Sequence, residues 1–137
     1  MVESSGEETR IPNRPGSAAV QPGPDRFAAY WQQRRAAQQE LSQRLARQAR
    51  MDVTRIAAVL RQQFGVRRII LFGSLAERRF APGSDIDLAV EGLAKADLFA
   101  ALAQVNELSR FQVDLKPLEE LEPHFRRKVL TTGEELA

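Results

Sequence analysis

The chain has 137 residues, of which 28% are charged, with a net charge of +2 and no cysteine. This length suits a single globular core, and the absence of cysteine excludes disulfides and thiolate metal sites. The longest uninterrupted apolar run, residues 98–103, is far too short to span a membrane. Residues 1–24 also lack the apolar region of a signal peptide. We therefore expect a cytoplasmic protein without a membrane partner.

The first half of the chain divides into two segments by composition. Residues 1–24 are rich in Glu, Pro, Gly and Ser and are predicted to form a disordered tail. From Asp25, a suitable N-cap, to Phe64 no proline or glycine interrupts the helix formers, which predicts one long helix or two consecutive helices. An apolar stripe at intervals of three or four residues predicts one buried face. Its members are Leu41, Leu45, Ala49, Val53, Ile56, Leu60 and Phe64.

This stripe suggests where a globular domain begins. Its C-terminal half can pack against a sheet, whereas its N-terminal half has no evident partner in the sequence. We therefore predict a helical extension over residues 25–54, available to dock a partner, and a globular domain over residues 55–137.

The same helical stretch is rich in arginine. Eight arginines lie between residues 26 and 61, against only two acidic residues. A nucleic-acid partner is not favoured, because the whole chain carries a net charge of only +2. Two interpretations stay open, namely a solvated helix face and a surface for an acidic partner.

A short β-branched and aromatic run, residues 66–72, predicts a buried strand that ends at Gly73. Gly73 has no Cβ to hold a ligand away from the backbone. If Ser74 begins a helix, the free amides there favour a phosphate, and the hydroxyl can cap the helix or bind a phosphate oxygen. A Gly-Ser pair after a strand is by itself usually only a turn.

The next predicted strand, residues 85–90, opens with two aspartates. Side chains alternate along a strand, so Asp85 and Asp87 project to one side and the apolar residues between them to the other. A later strand, residues 111–115, carries Asp114 in the same pattern. Three clustered carboxylates repel one another unless a cation compensates, and Mg²⁺ prefers such oxygen ligands. The spacing predicts a divalent-metal site for nucleotidyl transfer.

Two further helices are predicted. Residues 96–110 have an amphipathic pattern and would connect the two aspartate strands, and residues 118–132 form the last helix, with Pro123 near its start. His124 has no second histidine or cysteine to share a metal, so we expect it to be an ordinary surface or partly buried residue.

Together these motifs resemble the minimal nucleotidyltransferases of the DNA polymerase β superfamily. The matching segments are residues 71–76, 84–90 and 113–115, and the resemblance spans about residues 55–136. It implies an α/β (α+β) fold with a small mixed sheet flanked by helices, preceded here by the long helical extension. It also implies a site in which Gly73, Ser74, Ser84 and Arg78 bind the nucleotide and Asp85, Asp87 and Asp114 are catalytic and bind Mg²⁺.

The motif departs from the family pattern at one place. The family commonly continues Gly-Ser-x-Ala-Arg-Gly, whereas this chain has Glu77 and Arg78 at the last two positions. Glu77 would disfavour a triphosphate if it pointed inward, and it would be neutral to binding if it were exposed. Arg78 and Arg79 could restore positive charge.

Short proteins of this family are often paired with a HEPN-domain, ribonuclease-type toxin. The resemblance therefore implies a Mg²⁺-dependent enzyme that transfers AMP from ATP to a hydroxyl of a HEPN-domain partner and acts as its antitoxin in a hetero-oligomer. Two alternatives stay open. One is an antitoxin or scaffold that acts by binding only, with catalysis weakened by the change at Glu77, and the other is transfer to a small molecule.

Overall fold

The computed structural model describes residues 23–137. The described residues divide into two units, residues 23–38 and the compact unit Gln39–Ala137. The predicted disordered tail, residues 1–24, lies outside the described residues except for its last two positions. No helix within residues 23–137 combines the length and the apolar character that a membrane crossing requires.

One helix, α1 (Pro24–Phe64), covers the whole stretch for which one or two helices were predicted. It begins at Pro24, so Asp25 lies in its first turn and is not the N-cap. Proline suits the first helical position because its missing N–H would have no partner there. Residues 23–40 are all exposed, and burial begins further along the apolar stripe. The buried residues of α1 all lie between Ala49 and Leu60.

The described residues form four strands, β1 (Arg68–Phe72), β2 (Ile86–Glu91), β3 (Val113–Pro117) and β4 (Glu134–Glu135), and a short helix, α2 (Gly73–Ala76), follows β1. In the sheet the strands lie in the order β3-β2-β1-β4. Strand β1 is antiparallel to β2 and β4, whereas β2 and β3 are parallel. A parallel pair needs a long crossover, and α3 (Leu98–Leu108) supplies it. The predicted mixed sheet flanked by helices is confirmed.

The predicted helices are shorter than their apolar patterns suggested. A 3-10 turn, Lys95–Asp97, precedes α3. Another, Leu118–Glu120, precedes α4 (Pro123–Thr132), so the predicted last helix is split. Pro123 explains the split, because a proline pushes the preceding residue into an extended conformation. Glu122 is extended, and its side chain accepts a hydrogen bond from Phe125 N–H at 3.0 Å, capping α4.

The sheet buries its two faces under different helices. On one face, alternate residues of β1, β2 and β3 pack with α1 and α3 in the larger core, which includes Ile56, Leu60, Leu71, Leu88 and Val105. On the other face, a smaller cluster of Ile70, Ala89, Leu118 and Val129 packs beneath α4. Strands β1 and β2 therefore bury apolar side chains on both faces of the sheet.

Asp52 of α1 is a charged side chain with no solvent exposure. Its carboxylate accepts hydrogen bonds from the Ser109 hydroxyl at 3.1 Å, and from the backbone N–H and the guanidinium of Arg110, both at 2.9 Å. Arg55 donates a further bond from the next turn of α1. Asp52 thereby fixes α1 to the turn that leads from α3 into β3.

These donors determine the ionisation of Asp52. Burial by itself raises the pKa of the carboxyl, but the hydrogen bonds from Arg110 and Ser109 outweigh it and hold the pKa below its ordinary value. A carboxyl with a lowered pKa stabilises the folded state above its unfolded-state pKa, and this contribution disappears as the pH falls through the folded-state pKa.

We expect Asp52→Ala to lower the free energy of unfolding by about 2–3 kcal/mol at pH 7, because it leaves the partly buried donors of Ser109 and Arg110 without an acceptor. Urea unfolding measures the loss, and Glu107→Ala on the exposed surface of α3 is the matched control. The difference between wild type and Asp52→Ala should shrink below about pH 4. A difference that is independent of pH would contradict the role of the ionised carboxylate.

Candidate active site

The turn between β1 and the short helix α2 (Gly73–Ala76) needs a glycine for two reasons. Gly73 has φ +76°, in the left-handed region that favours glycine. A Cβ at this position would also clash with Oδ2 of Asp87 and lie 3.2 Å from its Cγ. The structure therefore brings two predicted site residues, Gly73 and Asp87, into direct proximity.

Asp87 and Asp114 are side by side in the sheet. They are register partners in the parallel pair of β2 and β3. The neighbours of Asp87 in β2, Ile86 and Leu88, are buried in the larger core on the opposite face. The two carboxylates therefore share the face that α4 covers, as the alternation predicted.

The face of the sheet that α4 covers has an apolar, packed part and a charged part that holds the aspartates. Its covered part includes Ala89 and Ile70, and Phe72 packs edge-to-face on Phe125 of α4 with ring centroids 5.8 Å apart. Asp87 and Asp114, nearer the start of their strands, are only partly buried. Helix α4 therefore leaves the carboxylates a path to solvent.

The three predicted aspartates act on one another electrostatically. Burial raises the pKa of Asp87 above its ordinary value, and the negative charges of Asp114 and then Asp85 raise it further. Asp85 lies one residue before β2, so it belongs to the approach to the strand. The negative charges of Asp114 and Asp85 therefore act on Asp87, whereas the grouping of all three carboxylates around one site stays a prediction.

Lys116 is a residue near this site that the sequence interpretation missed. Its Nζ lies 3.1 Å from Oδ2 of Asp114, and its charge opposes the rise in the pKa of Asp87. A signal for it exists, because Lys116 is two residues after Asp114 on β3 and so shares its face. It supplies one positive charge beside three carboxylates.

The side chains of residues 23–137 form no group of three His, Cys, Asp or Glu that is already arranged to hold a metal ion. The donor set nevertheless fits a hard cation in chemistry and charge, because carboxylate oxygens suit Mg²⁺ and Lys116 compensates only part of their negative charge. Metal binding by Asp85, Asp87 and Asp114 stays a prediction.

The two serines of the motif differ in their surroundings. Helix α2 has Phe72 as its N-cap and no side-chain cap, so Ser74 does not cap it. Ser84 braces the loop before Asp85, because its hydroxyl accepts from Ala81 N–H at 3.0 Å and its own N–H donates to the Ala81 carbonyl at 2.9 Å. Nucleotide contacts by either serine stay predictions.

The two residues that depart from the family pattern, Glu77 and Arg78, have different surroundings. Glu77 is exposed, and its carboxylate accepts hydrogen bonds from Nε and Nη2 of Arg79 at 3.2 and 2.9 Å. Arg78, at φ +61°, lies instead in a cavity with residues of α1 and with Glu134. It is not among the charges that shift the pKa of Asp87. A nucleotide contact by Arg78 stays a prediction.

Residues 54–137 match the family described as polymerase beta, nucleotidyltransferase. No curated protein matches the chain in sequence. Among solved structures, a toxin-antitoxin crystallised with AMP-PNP contains a chain that is 26% identical. The match covers 61% of this chain and 71% of that one, with a TM-score of 0.56.

Two other solved structures share the fold. A protein described as a candidate minimal nucleotidyltransferase is 23% identical, with 66% of this chain and 95% of that chain covered and a TM-score of 0.59. A complex of tri-AMPylated Shewanella oneidensis HEPN toxin with MNT antitoxin contains a chain 24% identical, with 64% and 71% covered and a TM-score of 0.52. With its sheet, its glycine turn and its matched residues 54–137, the chain belongs to the polymerase beta nucleotidyltransferase family.

Proposed function

We propose that this chain transfers AMP from ATP to a hydroxyl group of a HEPN-domain partner protein, depends on Mg²⁺, and acts as the antitoxin of that partner. The observation that carries the proposal is the close approach of Asp87 to the Gly73 turn, with Asp114 as the register partner of Asp87. This arrangement puts clustered negative charge next to backbone that a nucleotide can approach closely.

In this proposal, Gly73 and Ser74 hold the triphosphate, and Asp85, Asp87 and Asp114 hold Mg²⁺. When bound, Mg²⁺ supplies charge neutralisation for the triphosphate and for the departing pyrophosphate. The protein contributes position, because Gly73 keeps the turn open beside Asp87 and the sheet register keeps Asp114 next to Asp87.

The reaction is a displacement at the α-phosphorus of ATP. The oxygen of the acceptor hydroxyl forms a bond to the α-phosphorus, and the bond from that phosphorus to the bridging oxygen of the β-phosphate breaks. Pyrophosphate leaves with the bonding electrons. The hydroxyl proton passes to the carboxylate of Asp114 and then to solvent, and Lys116 keeps a positive charge beside that carboxylate throughout.

The choice of acceptor rests on the similar complexes. A 26% identical chain comes from a toxin-antitoxin with AMP-PNP, and a chain of the same fold comes from a complex whose HEPN toxin is AMPylated. A protein acceptor in a hetero-oligomer is consistent with these relatives. Arg79 compensates the charge of the exposed Glu77 carboxylate, so Glu77 is not a reason to prefer a binding-only antitoxin.

We expect Asp87→Asn to reduce labelling of the partner by about 100-fold or more, because it removes a carboxylate from the centre of the metal-binding group. The measurement incubates the chain with α-labelled ATP, Mg²⁺ and a HEPN-domain protein from the same genome. Glu107→Gln, an exposed acid-to-amide change on α3, is the matched control and should label at the wild-type rate.

The same assay distinguishes the alternatives. A tight complex that forms without label, and equally well in Asp87→Asn, would replace the proposal with the binding-only function. If the label appears on a small molecule when no partner protein is present, the acceptor is a small molecule and not a HEPN-domain protein. Labelling that persists in Asp87→Asn would remove the aspartates from the mechanism.

We also expect Asp87→Asn to raise the melting temperature of the metal-free protein at pH 7 by about 2–4 °C, the shift that about 0.5 kcal/mol produces in a small domain. The reason is that a carboxyl with a raised pKa destabilises the fold when ionised. This gain should shrink as the pH falls through the raised pKa of Asp87 and vanish below the unfolded-state pKa of about 3.9.

Added Mg²⁺ should reverse the order of stability. It should raise the melting temperature of wild type, because an ion bound only by the folded state stabilises that state, and should affect Asp87→Asn much less. Thermal unfolding monitored by circular dichroism measures both effects, with Glu107→Gln as the control. Equal Mg²⁺ stabilisation of wild type and Asp87→Asn would locate any bound ion elsewhere.

A further inference from the structure

A groove of about 720 Å³ lies between α1, the segment that follows Gly73, and β4. We call it the arginine groove, because Arg47 and Arg50 of α1 and Arg78 of the segment after α2 line it. Its other lining residues include Leu75, Phe80 and Glu134. All of these residues belong to the compact unit Gln39–Ala137.

The charges of the groove are unbalanced. Arg50 and Glu134 form a two-pronged ion pair, with N···O distances of 3.0 and 3.1 Å. Arg47 and Arg78 have no ion-pair partner within 4 Å among residues 23–137. Among residues 23–137, the groove therefore has three guanidinium groups and one carboxylate, Glu134, on which Arg50 and, at longer range, Arg78 act. This is a local excess of two positive charges.

The base of the groove is apolar. Leu75 and Phe80 are members of the larger core and are almost fully buried, and Ala46 packs against that core from α1. The groove volume is in the range of pockets that enclose a small ligand or a few side chains of a peptide. An apolar base with a cationic rim suits a segment that carries an apolar side chain and at least two carboxylates.

The groove is separate from the aspartates but close to their supporting turn. Its α1 wall, residues 42–50, lies before the family-matched residues 54–137. The wall is therefore contributed by the part of this chain that precedes the shared domain. Leu75, at the base, is only two residues beyond Gly73, which approaches Asp87. A protein held in the groove would lie beside the segment that forms the nucleotide turn.

We propose that the arginine groove docks an acidic segment of the acceptor protein, with the unpaired charges of Arg47 and Arg78 meeting its carboxylates. The identity of the acceptor rests on the proposed function, whereas the existence of the docking site does not. A nucleic acid is a less suitable occupant, because the groove presents a carboxylate at Glu134 and only two unpaired arginines, and not an extended basic stripe.

The test compares Arg47→Glu, Arg47→Lys and Arg44→Glu in the full chain. Arg44 is exposed on α1 and does not line the groove, so Arg44→Glu makes the same change of charge outside the site. Binding of the HEPN-domain protein used in the transfer assay is measured by titration calorimetry at two salt concentrations. ATP binding is measured separately for each variant.

We expect Arg47→Glu to weaken binding of the HEPN-domain protein by at least about tenfold, because reversal of a charge in the groove turns attraction into repulsion. Arg47→Lys and Arg44→Glu should stay within about threefold of wild type, and ATP binding should be unchanged in all three. Added salt should weaken binding of the HEPN-domain protein more in wild type than in Arg47→Glu. The reason is that salt screens the attraction between the groove arginines and the carboxylates of the partner.

Equal loss in Arg47→Glu and Arg44→Glu would overturn the groove as a docking site, and so would the absence of any complex with wild type. If Arg47→Glu instead loses affinity for a single-stranded RNA probe but keeps the HEPN-domain protein, the occupant is nucleic acid and the proposal is wrong. If Arg47→Glu loses binding but wild type does not label the HEPN-domain protein, the groove proposal stands and the transferase proposal is wrong. If wild type labels the HEPN-domain protein and Arg47→Glu binds it as tightly as wild type does, the transferase proposal stands and the groove proposal is wrong.

Discussion

The close approach of Asp87 to the backbone of Gly73 is the constraint on which the site depends. It requires a residue without a Cβ at the end of β1, and it requires a carboxylate on the face of β2 that points away from the larger core. Asp114 is then beside Asp87 through the parallel register alone. Repulsion between these carboxylates opposes folding, and burial of Leu88 and Val90 on the opposite face offsets it.

Ion pairs hold strand β4 at one edge of the sheet. Strand β4 has only two residues, both glutamates, and it pairs with β1 antiparallel. Arg68 holds Glu135 with N···O distances of 2.8 and 3.0 Å and also contacts Glu91 at 3.2 Å, while Arg50 holds Glu134. These exposed pairs individually contribute little to stability, but together they fix the position of a strand too short to be fixed by its backbone hydrogen bonds.

The sequence allowed prediction of features that follow from local periodicity. Alternation in residues 85–90 predicted the face of Asp87, and the three-to-four spacing predicted the buried side of α1. Features that depend on distant partners were not predictable in this way. Strand β4 exists only because β1 offers a free edge, and Asp52 is buried only because Ser109 and Arg110 arrive from the end of α3. The position of Arg78 likewise depends on its left-handed backbone, which no residue pattern signals.

The boundary of the family match separates the proposed chemistry from the α1 wall of the proposed docking groove. The glycine turn and the aspartates all lie within residues 54–137, whereas Arg47 and Arg50 lie before them on the same continuous helix. Because Asp52 ties that helix to the turn before β3, the arginines are carried on a rigid element whose position is set by the domain itself. A charged surface fixed in this way loses little conformational entropy on binding, so a small number of unpaired arginines can distinguish an acidic partner. The carboxylates proposed to be catalytic can then remain unchanged while the proposed recognition varies along α1.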